Sequence, residues 1–247
     1  IHWPIWFISL IWGGAGSLFA IPFHVDFSKI KHKLHGGKEL GYVKIIQYFA
    51  SIIGPIASGI IATLFGGQYI FLAAIILLVI GGLPLLKTRE PTRINQKLNL
   101  RAIKLREIKI DLISMAGYDI DLTASTFLWP LYLGVFVLTS GATYAKLGSL
   151  ASISVIASMI AAFAIGKLID DHKGRPLLRF GAIVNAGLHL FRPFVNTYPQ
   201  ALLVNTLDNP ATVAYQMPYT KGMYDKGDDL DGQRVAYFTI MEWTSSF

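Results

Sequence analysis

The chain has 247 residues, of which 53% are hydrophobic and only 15% charged. Soluble domains carry about 25% charged residues, and with a mean hydropathy of +0.49 this argues against an ordinary soluble domain. The net charge of +7 does not point to nucleic acid, because the basic residues collect in gaps between apolar runs. The lack of cysteine excludes disulfides and thiolate metal sites.

A membrane span needs about 20 apolar residues at about 1.5 Å rise each. In chain order the predicted spans are residues 3–23, 42–65, 68–86, 112–138, 147–169, 177–195 and 200–219, with an eighth opening at Val235. Only Gly66-Gly67 separates the second from the third, which reads as a tight turn. The chain starts at Ile1 and stops at Phe247 inside apolar runs, so it reads as an internal fragment of a longer chain.

Residues 87–111 interrupt the apolar pattern with eight Lys and Arg against Glu90, Glu107 and Asp111. A basic side chain at the bilayer centre costs about 3 kcal/mol even on the lenient scale, so this stretch is a connector in water. With it placed in the cytoplasm, the gaps at 24–41, 170–176 and 220–234 fall on the same side. Every Lys and Arg except Lys146 and Arg192 then lies in or beside a cytoplasmic gap, as the positive-inside rule requires.

Two stretches echo each other across the connector. IPFHVDFSK (21–29) pairs with MPYTKGMYDK (217–226), and GKELGYVKIIQY from Gly37 pairs with GQRVAYFTIMEW from Gly232. The second pairing sets Gln47 against Glu242 at like depth. An offset of roughly 195 positions fits two parallel repeats related by an axis along the membrane normal. The competing reading is chance similarity of apolar helix starts.

The stretch GKLIDDHKGRP from Gly166 resembles the cytoplasmic loop signature of the major facilitator superfamily, G-x-x-x-D-(R/K)-x-G-R-(R/K), with Asp171, Gly174 and Arg175 in motif positions. His172 and Pro176 stand where basic residues are usual, and Gly166 lies one position upstream. Gly54-Pro55-Ile56-Ala57-Ser58-Gly59 is similar to the G-P-x-x-G-G element of that superfamily's fifth helix, which is associated with exporting antiporters. Small-residue packing around Gly54, Pro55 and Gly59 explains it equally well. The resemblance implies an all-α, polytopic transmembrane helix bundle in two pseudo-symmetric halves, covering roughly helices four to eleven of twelve. Residues 1–86 would close the N-terminal bundle, 87–111 link the halves, and 112–247 supply four helices and more of the C-terminal bundle.

Polar groups at membrane depth are costly and mark function by default. Asp119 and Asp121 in the fourth span point about 200° apart, so one faces the passage and the other a neighbouring helix or cytoplasmic water. In the seventh span Asn205, Asp208 and Thr212 share one face, and Pro210 frees backbone carbonyls. Asp208 is the first expectation for a substrate or proton site, with Glu242, Asp119, Asp121, Gln47 and Asn205 along the same path. His189 and Arg192 share a side of the sixth span. Arg192 reads either as a snorkelling residue near the outer surface, the favoured option, or as an ion partner of Asp208. Trp3, Trp6 and Trp129 read as interface anchors.

The resulting expectation is a multi-pass protein of the cell membrane that carries a small solute by alternating access, with proton-coupled export as its finer form. Its partners would be a small-molecule substrate, membrane lipid and H+, with no nucleic acid, cofactor or metal. A lipid-head-group transferase is the rival. DDLDGQR from Asp228 resembles an Asp-Gly-x-x-Ala-Arg start, but Arg234 is one position early and no second Asp cluster follows. A sensor or assembly protein on a transporter fold is not separable from sequence.

Overall fold

The structure, a computed structural model, describes residues 5–32, 34–66, 68–87, 103–138, 143–230 and 232–245. Helices account for nearly all of them, and no strand occurs among them. In order they are α1 (Ile5–Ile30), α2 (Gly36–Phe65), α3 (Gln68–Gly82, running on as a 3-10 turn at Leu83–Lys87), α4 (Leu105–Val137), α5 (Thr143–Leu168), α6 (Gly174–Phe191), α7 (Tyr198–Asp229) and α8 (Arg234–Ser245). Gly66, at φ +103°, makes the α2–α3 turn that its glycine pair predicts.

By length and hydropathy two of the described runs suffice to cross a membrane, Leu105–Val137 and the joined α5–α6 run Ser149–Phe194. The helix α7 is far more polar, yet it sits innermost, packed against α1, α2, α5, α6 and α8. A polar helix can occupy membrane depth when protein rather than lipid surrounds it. The opposite case is α3, which buries none of its described side chains and leaves Phe71, Leu77 and Leu78 mostly exposed. Such a surface would be costly in water and matches hydrocarbon.

Small residues set the closest crossings. A Cβ on Gly181 of α6 would stand 2.7 Å from the Tyr215 nitrogen and 2.8 Å from the Ala211 carbonyl oxygen of α7, so the two backbones meet there. Gly181→Val should therefore wedge α6 from α7 and cost about 1–3 kcal/mol, read as a lower melting temperature in detergent. Unchanged melting would mean that the crossing is looser than this geometry. Gly37 of α2 meets Gly166 of α5 in the same way, with 2.7 Å from a Cβ on Gly37 to the Gly166 carbonyl oxygen.

Two cores result. One unites both parts of the chain at the charged end: Val25 and Phe27 of α1, Leu40 of α2, Ile108 and Met115 of α4, Ala162 and Ile165 of α5, Met217 and Tyr224 of α7, and Tyr237 and Phe238 of α8. The other lies at the opposite end and draws only on the later helices, with Trp129, Leu133, Leu150, Ala201 and Val204. A Cβ on Gly13, Gly14 or Gly16 of α1, or on Gly54 of α2, would meet nothing within 4 Å. Among the described residues, α1 and α2 join the later helices α4–α8 through the core at the charged end.

Helices run further at the charged end than hydropathy predicts. The expected spans end at Phe23 and Tyr219 and begin at Tyr42 and Leu112, whereas α1 continues to Ile30, α7 to Asp229, α2 starts at Gly36 and α4 at Leu105. The last seven residues of the predicted linker are therefore helical; Ile108 buries its side chain, and Lys226 pairs with Asp111. Residues 88–102 of that linker lie outside the described residues.

Candidate functional site

Two polar assemblies occupy the interior, and a third closes the charged end. The first surrounds a cavity of about 280 Å³ between the two helix groups. The early group contributes Phe23 and His24 of α1 and Lys44 and Gln47 of α2. The later group contributes Tyr118 and Asp119 of α4, Gln216, Tyr219 and Tyr224 of α7, and Glu242 of α8. His24 ties the groups together: its Nε2 lies 3.1 Å from Glu242 Oε1, and its Nδ1 lies 2.7 Å from the Tyr224 hydroxyl. Its ring also stacks on Phe238. The Gln216 amide donates to the Tyr118 hydroxyl. One Asp119 oxygen, Oδ2, is buried without a partner among the described residues. A site mixing acids, bases, amides and aromatic rings can bind a polar solute from both sides at once.

The second assembly lies wholly within the later group. Arg192 follows α6 in the 3-10 turn Arg192–Phe194, with its side chain buried. Its Nη2 donates to Asp208 Oδ2 at 2.7 Å and to Ser125 Oγ at 3.0 Å, and its Nη1 lies 3.0 Å from His189 Nδ1. The guanidinium also sits 5.1 Å from the centre of the Trp129 ring. His189 reaches Asp121 Oδ1 at 2.5 Å, and the Tyr215 hydroxyl donates to Asp121 Oδ2. Trp129 Nε1 donates to Asn205 Oδ1 at 2.6 Å. Asp121 and Ser125 flank the point where α4 widens: Pro130 has no N–H for the helical ladder, and the Trp129 N–H bonds back to the Ala124 carbonyl.

The third assembly is ionic. Lys31 of α1 lies 3.0 Å from Asp225 and 4.0 Å from Asp228 of α7, while Lys221 also holds Asp225 at 2.7 Å. Asp228 is paired to Arg234. Asp170, between α5 and α6, accepts the N–H groups of Gly37 and Lys38 at 2.8 and 3.1 Å, where α2 opens with its free donors. Partial burial pushes the Asp225 carboxyl up, but hydrogen bonds and charge from Lys221 and Lys31 outweigh it and hold the group below its usual value. The link is therefore complete above about pH 5, where even an unfolded Asp is ionised, and is lost as pH falls through the lowered value. A pH series of melting temperatures should show Asp225→Asn less stable than the parent at pH 6, with the gap closing as the pH falls through the lowered value. A gap that persists there would remove the charge from the explanation.

Several expectations need correction in this geometry. Arg192 is not a snorkelling residue: it is buried because Asp208, Ser125 and Trp129 supply it with partners. Trp129 is likewise buried and bonded to Asn205 rather than set at an interface. Asp208 does not line the cavity between the groups; it lies inside the later group, beside Arg192. Asp119 and Asp121 diverge as the helical angle requires, Asp119 to that cavity and Asp121 to His189. Gln47 and Glu242 line the cavity from opposite groups.

In the signature loop the turn falls on His172, at φ 62°, and Gly174 is helical at φ −59°. The carboxylate that spans the groups is Asp170, while Asp171 and Arg175 are exposed. Gly54, Pro55 and Gly59 lie within α2, away from the crossing at Gly37. Trp3 lies outside the described residues. Sequence reasoning did not single out His24, Lys44, Tyr118, Lys31 or Asp170. Of these, His24 carried a signal, since it directly follows the Pro22-Phe23 pair of the repeat.

The family model of the Major Facilitator Superfamily matches residues 1–204. No curated protein and no solved structure was found to match the chain.

Proposed function

The chain belongs to the Major Facilitator Superfamily, and from that premise we propose that it is a secondary transporter of a small solute, working by alternating access of the cavity between α1–α2 and α4–α8. Membership makes it a multi-pass membrane protein of a transporter family. The observation that carries the reading is that this cavity takes polar side chains from both groups, with His24 and Glu242 meeting across it. The groups touch at the charged end. With the charged end in the cytoplasm, those contacts make this a form closed to the cell interior. The Lys31–Asp225 and Asp170–α2 contacts would be released when the cavity opens inwards.

Proton coupling belongs to the same reading. Glu242 and Asp119 in the cavity are its first carriers, since Asp208 is neutralised in place by Arg192. Rocking would be accommodated by the connector 87–111. The test is uptake of a mixed metabolite pool into proteoliposomes, followed by mass spectrometry. At least one solute should accumulate above protein-free vesicles, and more under an imposed pH gradient. No accumulation in any gradient would remove transport. Lys104 and Lys173 should also react with a membrane-impermeant label from the same face, and opposite faces would overturn the topology.

A further inference from the structure

The cavity between the groups contains more charge than it neutralises internally. His24 and Glu242 face each other at 3.1 Å. Two other charged side chains line the same space from opposite walls: Lys44 on α2 and Asp119 on α4. Neither forms an ion pair among the described residues, and the Asp119 Oδ2 is buried with nothing to bond. An unpaired charge in a part-buried site costs several kcal/mol, so it is retained where a ligand supplies the counter-charge.

We propose that the cavity takes a zwitterionic solute, its ammonium group directed to Asp119 and its carboxylate to Lys44. This rests on the reading of the cavity as the transport site. Glu242, next along the later wall, adds to the acidic side that receives the ammonium. Gln47 offers an amide to the middle of the solute, and Phe23, Met115 and Tyr118 line the wall with apolar surface. A cavity of about 280 Å³ has room for an amino acid or a short peptide. Because Lys44 belongs to one helix group and Asp119 to the other, a solute carrying both charges binds the two groups together. A solute with one charge holds only one wall. The preference for zwitterions and the closure of the groups around the solute thus have one origin.

The test is binding to the purified full chain in detergent, measured by calorimetry. Zwitterions of three charge spacings are the probes: L-leucine, L-alanyl-L-alanine and 6-aminohexanoate. Hexylamine, hexanoate and methyl glucoside serve as cationic, anionic and neutral references. At least one zwitterion should bind about tenfold or more tightly than every reference, since a charge-assisted hydrogen bond contributes about that factor. Lys44→Gln should reduce the zwitterion to the level of hexylamine while leaving hexylamine unchanged. Asp119→Asn should reduce it to the level of hexanoate and leave hexanoate unchanged. Equal binding of zwitterion and singly charged probes, tighter binding of methyl glucoside, or no binding by any probe would overturn the proposal. Zwitterion binding without uptake into vesicles would retain the ligand class and reject transport. Uptake of some other solute, without zwitterion preference, would do the reverse.

Discussion

Replacing Arg192 with methionine should destabilise the protein by about 3–5 kcal/mol, the cost of removing one partner from a buried ion pair. The guanidinium holds Asp208, Ser125 and His189 together and covers the Trp129 ring. Without it, the Asp208 carboxylate stays buried without its cation, where an unpaired charge is costly. Asp208→Asn should cost less, because an amide can still accept from Arg192 and the remaining cation keeps Ser125 and Trp129. Pairing Arg192→Met with Asp208→Leu should recover most of the loss, since replacing a whole buried pair by apolar groups is often neutral. Thermal or denaturant unfolding of the four proteins in one detergent decides the matter. A double variant as unstable as Arg192→Met alone would show that the charge balance is not what holds α4, α6 and α7 together.

Glu242→Gln carries the largest expected effect on function. Its carboxylate meets His24 across the boundary between the helix groups, so the substitution turns a charge-assisted contact into a neutral one. Such a contact contributes about 1.5–3 kcal/mol. Loss of that amount lowers solute affinity or the transport rate by about tenfold to a hundredfold. Coupled proton movement should fall further than solute exchange at equal concentrations on both sides, because exchange does not require net proton transfer. His24→Gln should weaken the same contact while keeping the carboxylate, and so should spare coupling. If both variants lose exchange and coupling equally, the pair fastens the groups without handling the proton.

The helices were legible because hydropathy and charge report the solvent around a segment. The 87–111 island and the glycine pair at Gly66 are features of that kind. The helix extensions at the charged end were not, since Phe27, Tyr224 and Phe238 form a core there beyond the apolar runs. Hydropathy ends a span where charges begin, whereas Lys31, Asp225 and Asp228 pair with one another and let the helices continue. Arg192 shows the same limit in reverse. One charge near a helix end looks like a snorkelling residue until Asp208, on the next helix, is found opposite it. Asp119 and Asp121 were separable from sequence by helical angle alone, but which neighbour each would meet depended on packing. Asp170 rather than Asp171 joins the groups because the turn at His172 turns its neighbour outwards.

Both the cavity and its gates presuppose that α1–α3 and α4–α8 move against each other about the cavity. The direct measurement places spin labels on Leu34 and Lys173 at the charged end, and on Leu64 and Phe136 at the other, all four being exposed side chains. Distances are then read by double electron–electron resonance in liposomes. Weakening the charged-end contacts with Lys31→Glu and Asp170→Asn should lengthen the first distance and shorten the second in the same population. Two distances that stay fixed, or that lengthen together, would contradict the account.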